Sequence, residues 1–266
     1  MSSHAREGSC QPADAEIVIR LRGVRTAFGS SVIHENLDLD VRRGEIIGLV
    51  GGSGTGKSVL LETILGLKTP DEGSVEVLGY NIHDPDQRET IVSRIGVMFQ
   101  NGALFSSLTV RENVEAPLLE HTDFSRSFIC GLAELKIRLA GLADDAGLKK
   151  PSELSGGMRK RAGVARAIAL DPELLFLDEP TAGLDPIGAE EFDALIRGLR
   201  DALGLTVFMV THDLDSLYAN CDRVAVLADR KVAAIDTLDA LERSDHPWIK
   251  SYFGGPRGRA VQEKNT

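Results

Sequence analysis

From residue 16 to residue 39 hydrophobic and polar positions alternate (EIVIRLRGVRTAF, then SVIHENLDLDV). A period of two predicts half-buried strands, and Gly29-Ser30 between them supplies the turn of an antiparallel pair. The pattern then changes to an unbroken apolar run, GEIIGLV, as a strand covered on both faces requires. A glycine-rich turn follows, then a helix over 57–67 that Gly66 and Pro70 close. SVEVLGYNI predicts a further strand pair, and RIGVMFQ a strand ending at Gln100. From about 101 to 155 strand-like runs give way to a helical period, clearest in SRSFICGLAELKIRLAGL, which predicts a helical insertion. Beyond it come a helix over 157–170, the strand ELLFLDEP, the helix GAEEFDALIRGLRDAL, the strand LTVFMVTHD, the helix LDSLYAN, and the strands RVAVLA and KVAAIDT. Strands alternating with helices predict an α/β fold with a parallel sheet between helical layers.

Composition narrows the function classes. The 266 residues are 42% hydrophobic, enough for one substantial core, and 40 acidic against 30 basic side chains leave a net charge of -10. That balance argues against a nucleic-acid partner, which needs a basic face, and against charge-driven binding to an anionic bilayer. The most apolar stretches, 46–50, 174–177 and 206–210, are strand-length and far short of a membrane span. The first fifteen residues are polar, without the apolar region of a secretory signal, and predict a disordered lead. Cys10, Cys130 and Cys221 form no CxxC pair, as expected of free thiols in a reducing compartment. The division expected is a lead over 1–15, one domain over 16–243, and a tail over 244–266. The aromatic part of that tail (Trp248, Tyr252, Phe253) would pack on its own core or contact a second copy or partner.

Two motifs bring chemistry. Gly51-Gly52-Ser53-Gly54-Thr55-Gly56-Lys57-Ser58 fits GxxxxGK[ST] between a buried strand and a helix. Its glycines let successive N–H groups wrap an anion, and the helix aims its positive end at the same phosphates. Lys57 would reach the β- and γ-phosphates of ATP, and the Ser58 hydroxyl would ligate Mg²⁺. The second motif, Leu174-Leu175-Phe176-Leu177-Asp178-Glu179, is an apolar strand ending in two acids, at the sheet edge where α/β folds bind ligands. Asp178 would hold Mg²⁺ and Glu179 would act as general base on the attacking water. Alone, such a pair is also a common surface feature.

Further strings make a resemblance specific. Leu154-Ser155-Gly156-Gly157-Met158 resembles the ABC signature LSGGQ, with Met in place of Gln; residues 178–185 (DEPTAGLD) resemble a Walker B motif running into a D-loop; Thr211-His212-Asp213 resembles the switch histidine, and Gln100 the Q-loop. Their order is that of ABC transporter ATPase subunits over about residues 17–235. The resemblance implies a RecA-like P-loop core with a small antiparallel β part and a helical subdomain. It further implies that Ser155, Gly156 and Gly157 close over the γ-phosphate held by a second copy, an anion site that a Ser-capped helix start can supply. His212 would contact the γ-phosphate and hold Glu179 and water in line, Gln100 would meet Mg²⁺ and sense a permease, and Asp185 would cross the dimer interface. Phe28 matches the adenine-stacking aromatic, though it also fits a core aromatic in a hairpin; Val59 joins the nucleotide-binding run.

FQNGALFSSLTVRENVEAPLLEHT, with LSGGMRKRAGVARAIALDPELLFLDEPTAGLDPI, is similar to the Mla-type ATPases. Members of that family energise phospholipid trafficking across the Gram-negative envelope from the cytoplasmic face of the inner membrane. The partners implied are permease subunits, an MCE-domain lipid-binding protein and a small STAS-domain protein. A generic importer for another solute is the alternative. A ribosome- or DNA-acting ABC protein is disfavoured by the single P-loop and signature and the absence of heptads. A regulatory module without turnover is disfavoured by Glu179 and His212.

Overall fold

A computed structural model describes residues 15–255; residues 1–14 of the expected polar lead, with Cys10, and the last eleven residues of the tail lie outside them. The alternating segments form β1 (Ile17–Phe28) and β2 (Ser31–Arg42), joined at residues 29–30 with Phe28 opposite Ser31. With β4 (Glu72–Val77) and the two-residue β5 (Tyr80–Asn81) they make an antiparallel sheet of order β2-β1-β4-β5. One face of β1 is polar and the other buries Val18, Leu21 and Val24, as a half-covered sheet requires.

The unbroken apolar runs build the second sheet. These are β3 (Ile46–Gly51), β6 (Ile95–Met98), β7 (Leu174–Asp178), β8 (Thr206–Val210) and β9 (Arg223–Ala228). With β10 (Lys231–Asp236) the order is β10-β9-β3-β8-β7-β6, parallel throughout except for the β10–β9 pair. Helix α1 (Lys57–Ile64) sits with Ile47, Leu49, Phe176 and Phe208 in the apolar layer between the two sheets. On the opposite side lies α6 (Pro186–Leu203), which buries Phe192, Ile196 and Leu199 at helical spacing.

The helical part comprises α3 (Val110–His121), α4 (Arg126–Leu139) and α5 (Gly156–Ala167). Thr109 and Glu112 form a reciprocal capping box on α3, and Ser125 and Ser155 cap α4 and α5. These helices share one core cluster with α6 and with Leu175, Val207 and Met209 of the sheet, so the insertion is packed onto the core. Helix α2 (Pro85–Val92) was not anticipated. Toward the C-terminus come α7 (Leu214–Asn220), the unanticipated α8 (Leu238–Glu242) and α9 (Pro247–Phe253). Within the described part of the tail, α9 packs in cis. Ile249 and Phe253 are buried against Leu217, Val224 and Leu241.

Candidate functional site

The cradle hangs between β3 and α1. Gly56 is the N-cap of α1 at φ 96°, and no side chain caps the helix, so its first N–H groups are free to take an anion. Lys57 Nζ donates to the carbonyls of Gly51 (2.8 Å) and Gly52 (3.1 Å), holding its ammonium over the loop. Burial pushes the Lys57 pKa below its usual value, against the opposing pull of the Glu179 and Asp178 charges. Under the loop lies His34 of β2, fully buried, its Nδ1 2.8 Å from the Thr26 hydroxyl. Burial drives the His34 pKa down to about 4, so it packs as a neutral ring.

Strand β7 brings both acids to the same edge, with Asp178 paired to Val210 of β8. Burial first, then the Glu179 charge, raises the Asp178 pKa, while Lys57 and Lys160 oppose it. Glu179 adopts a left-handed backbone, φ 49°, a conformation that costs about 1–3 kcal/mol unless its surroundings impose it. Those surroundings are visible. Its N–H donates to Val210 O (2.8 Å), and its carbonyl accepts from Ala182 N (3.3 Å) and Lys160 Nζ (2.9 Å). The Glu179 carboxylate lies 2.7 Å from His212 Nδ1, and the histidine side chain is 69% exposed against 17% for the glutamate. The two residues singled out as base and switch therefore meet directly.

Further contacts escaped the sequence reading. Tyr252 of α9 donates its hydroxyl to the His212 carbonyl (3.2 Å) and stacks on Trp248, whose indole nitrogen lies beside Gly52. Behind the site, Thr181 bonds Asp213 (3.2 Å) and Ser216 (3.1 Å), and Ser216 donates to buried Asp193 (2.9 Å). The aromatic composition of the tail was the only signal for the first group, and nothing in spacing marks the second.

Ser155 and Gly156 are exposed at the start of α5, where the Ser155 hydroxyl accepts from Met158 N (3.2 Å). No hydrogen bond among the described residues joins 155–157 to 51–58. Asp185 caps α6, accepting from Gly188 N, and leaves that helix start exposed. Phe28 is 55% exposed with Lys68 Nζ 4.3 Å above its ring, so it is no core aromatic. Ser58 and Gln100 are exposed, and Val59 lies half-buried in the first turn of α1. Among the described residues no cluster of three or more His, Cys, Asp or Glu could hold a metal. One carboxylate with hydroxyl and amide oxygens fits a hard cation that takes its remaining ligands from phosphate and water, as Mg²⁺ does. No helix among the described residues is long and apolar enough to cross a membrane.

The ABC transporter family model matches residues 34–182. The chain is 37% identical to the intermembrane phospholipid transport system ATP-binding protein MlaF of Haemophilus influenzae, over 93% of this chain and 94% of that protein. To MlaF of Escherichia coli K12 it is 38% identical over 90% and 89%. The probable ribonucleotide transport ATP-binding protein mkl of Mycobacterium leprae is 38% identical over 91% of this chain and 70% of that protein. Among solved structures, the dimeric bacterial ABC transporter cassette MJ0796 superposes with a TM-score of 0.75 at 32% identity, covering 83% of this chain and 98% of that one. A post-hydrolysis dimer of the same cassette, bound to ADP and Pi, gives 0.74 with the same identity and coverage.

Proposed function

This chain belongs to the ABC transporter family as an ATP-hydrolysing cassette, and from that premise we propose its place in a lipid-moving machine. Two copies clamp ATP between the 51–58 cradle of one and the residue-155 helix start of the other. Hydrolysis releases the clamp and so powers phospholipid trafficking through a separate permease. The observation carrying this reading is the 2.7 Å contact between Glu179 and His212, next to Asp178 at the end of β7.

In that arrangement the cradle N–H groups and Lys57 hold the phosphates, and Phe28 stacks on adenine. Glu179 takes a proton from the attacking water, while His212 fixes the carboxylate and reaches the γ-phosphate. Positioning and charge neutralisation dominate such a reaction. Ser58, Asp178 and Gln100 would hold Mg²⁺, which would neutralise phosphate charge. The separation of residues 155–157 from their own cradle supports a second copy as the source of the closing helix start, with Asp185 at the junction. Past Gln100 an apolar groove lined by Val92, Ile95, Phe105, Pro117, Arg166 and Leu170 suits a permease segment, which would anchor the chain at the cytoplasmic face of the inner membrane. An MCE-domain lipid-binding protein and a small STAS-domain protein complete the expected assembly.

Glu179→Gln should lose steady-state hydrolysis and accumulate ATP-bound dimers; a variant hydrolysing at the native rate would refute the assignment of the base. The cargo is read from likeness to MlaF, which this chain spans almost fully, whereas it spans 70% of the ribonucleotide-named mkl. Ribonucleotide or another small solute is the second reading, favoured by equal identity to mkl. Purification from native membranes separates them. Copurifying permease, MCE protein and phospholipid support the first; a solute-importing permease without lipid supports the second.

A further inference from the structure

We propose that Lys160 is a positioning residue that ties the backbone of Glu179 to helix α5, so that the base is in place only when α5 is. The inference rests on the reading of Glu179 as general base and adds a residue that the sequence motifs did not single out.

Lys160 stands in the run Arg159-Lys160-Arg161, yet it alone of the three is buried, at 3% exposure. Its ammonium donates to the Glu179 carbonyl at 2.9 Å. Burial lowers its pKa, opposed by the nearby charges of Glu179 and Asp178, the same two carboxylates that act on Lys57 of the cradle. Burying an ammonium is expensive, and an apolar side chain of similar length would fill the space without that cost. Packing alone therefore gives no reason for lysine here. A left-handed Glu179, φ 49°, does: beside the longer bond from Ala182 N (3.3 Å), Lys160 gives its carbonyl a second, shorter bond that helps hold the conformation.

The same helix also meets the segment that follows Gln100. Lys160 follows the exposed N-terminus of α5 by about 6 Å along the axis, so an anion engaging residues 155–157 acts on a rigid rod carrying Lys160. One turn later, a Cβ added at Gly163 would come within 2.9 Å of Gly102 Cα, and one at Gly102 within 2.8 Å of the Arg159 carbonyl. Arg166 donates to the carbonyls of Gly102 (3.0 Å) and Ala103 (2.8 Å), just after Gln100. Helix α5 is thus backed directly onto the segment leading into the apolar groove. Displacement from either end moves Lys160, and Lys160 carries the main chain of Glu179.

The test uses the whole transporter complex in detergent or nanodiscs, with Lys160→Met and Lys160→Arg. Lys160→Met should lower kcat by about tenfold or more, since small misplacements of a catalytic group are that costly. KM for ATP and the affinity for a fluorescent ATP analogue should stay within about twofold, and the variant should stay folded at the assay temperature. Lys160→Arg, which keeps a charged donor, should recover most of the turnover. Native turnover in Lys160→Met overturns the proposal. So does a loss of turnover that tracks weaker nucleotide binding or unfolding at the assay temperature, or an arginine variant no better than methionine. Glu179→Gln is measured in parallel. If that variant hydrolyses at the native rate, the reading of the base fails, and this proposal with it, independently of the Lys160 result.

Discussion

Two glycines of the cradle permit a comparison in which nearly everything but space is held constant. Gly54 and Gly56 both have positive φ, 78° and 96°, so alanine at either is strained by about 1–2 kcal/mol. Their surroundings differ. A Cβ at Gly54 meets nothing within 4 Å, whereas at Gly56 it would lie 2.4 Å from Ile33 Cγ2 and 2.6 Å from His34 Nε2. His34 is fully buried and held to Thr26, so it has little freedom to retreat, and overpacking of this kind adds about 1–3 kcal/mol. Gly56→Ala should therefore lose about 2–5 kcal/mol of stability and Gly54→Ala about 1–2 kcal/mol. Denaturant unfolding of the nucleotide-free chain measures the stability difference, and titration with a fluorescent ATP analogue measures the cradle. Binding should fall more for Gly56→Ala, because Gly56 caps the helix whose N–H groups are proposed to receive the phosphates. Equal destabilisation by the two alanines would refute the claim that the loop is braced from below by β2.

Other consequences follow from single contacts. Asp193 is 3% exposed and accepts from Ser216 and Asn220; burial, joined by the nearby Asp213 and opposed by those hydrogen bonds and Arg197, raises its pKa from 3.8 to about 6. An acid with a raised folded pKa contributes stability below its unfolded value and loses it as pH rises through the folded one. Between about pH 4 and 7 the native chain should thus lose about 2–3 kcal/mol relative to Asp193→Asn, and a pH-independent difference in unfolding free energy would contradict this. Phe28→Ala should raise KM for ATP about tenfold with little change in kcat, as expected for a lost stacking platform; unchanged KM would remove Phe28 from the nucleotide site. Tyr252→Phe removes the hydroxyl that holds the His212 carbonyl. Hydrolysis should fall up to about fivefold for a bond worth about 1 kcal/mol, with unchanged ATP affinity, and no change in rate would show that α9 does not brace the switch.

What the sequence made legible has a physical pattern. Strands β3, β7 and β8 are apolar at almost every position because both faces are covered, and each ends at or just before a residue of the proposed site. Core and site edge were therefore written in one stretch of chain. Helix α7 and strand β9 were found at their observed bounds, one capped by Asp213 and the other fully apolar after its first residue. Helix α2 was missed because it buries only Ile91 and so shows no period; the Asp84 cap followed by Pro85 was the one available signal. The antiparallel direction of β10 was not foreseen either, although the two-residue link Asp229-Arg230 is far too short for the crossover a parallel pair needs. Among site residues, the cradle, the acid pair and His212 stood out because each needs a particular residue type at a particular spacing. Lys160 and Tyr252 did not, because each acts through one hydrogen bond to a backbone carbonyl distant in sequence. A lysine among basic neighbours on a helix reads as solvated, and only packing reveals which one turns inward. Motifs thus record the groups that touch the reacting atoms, while the groups that hold those atoms in place are recorded in tertiary contacts, and variants of Lys160 separate the two.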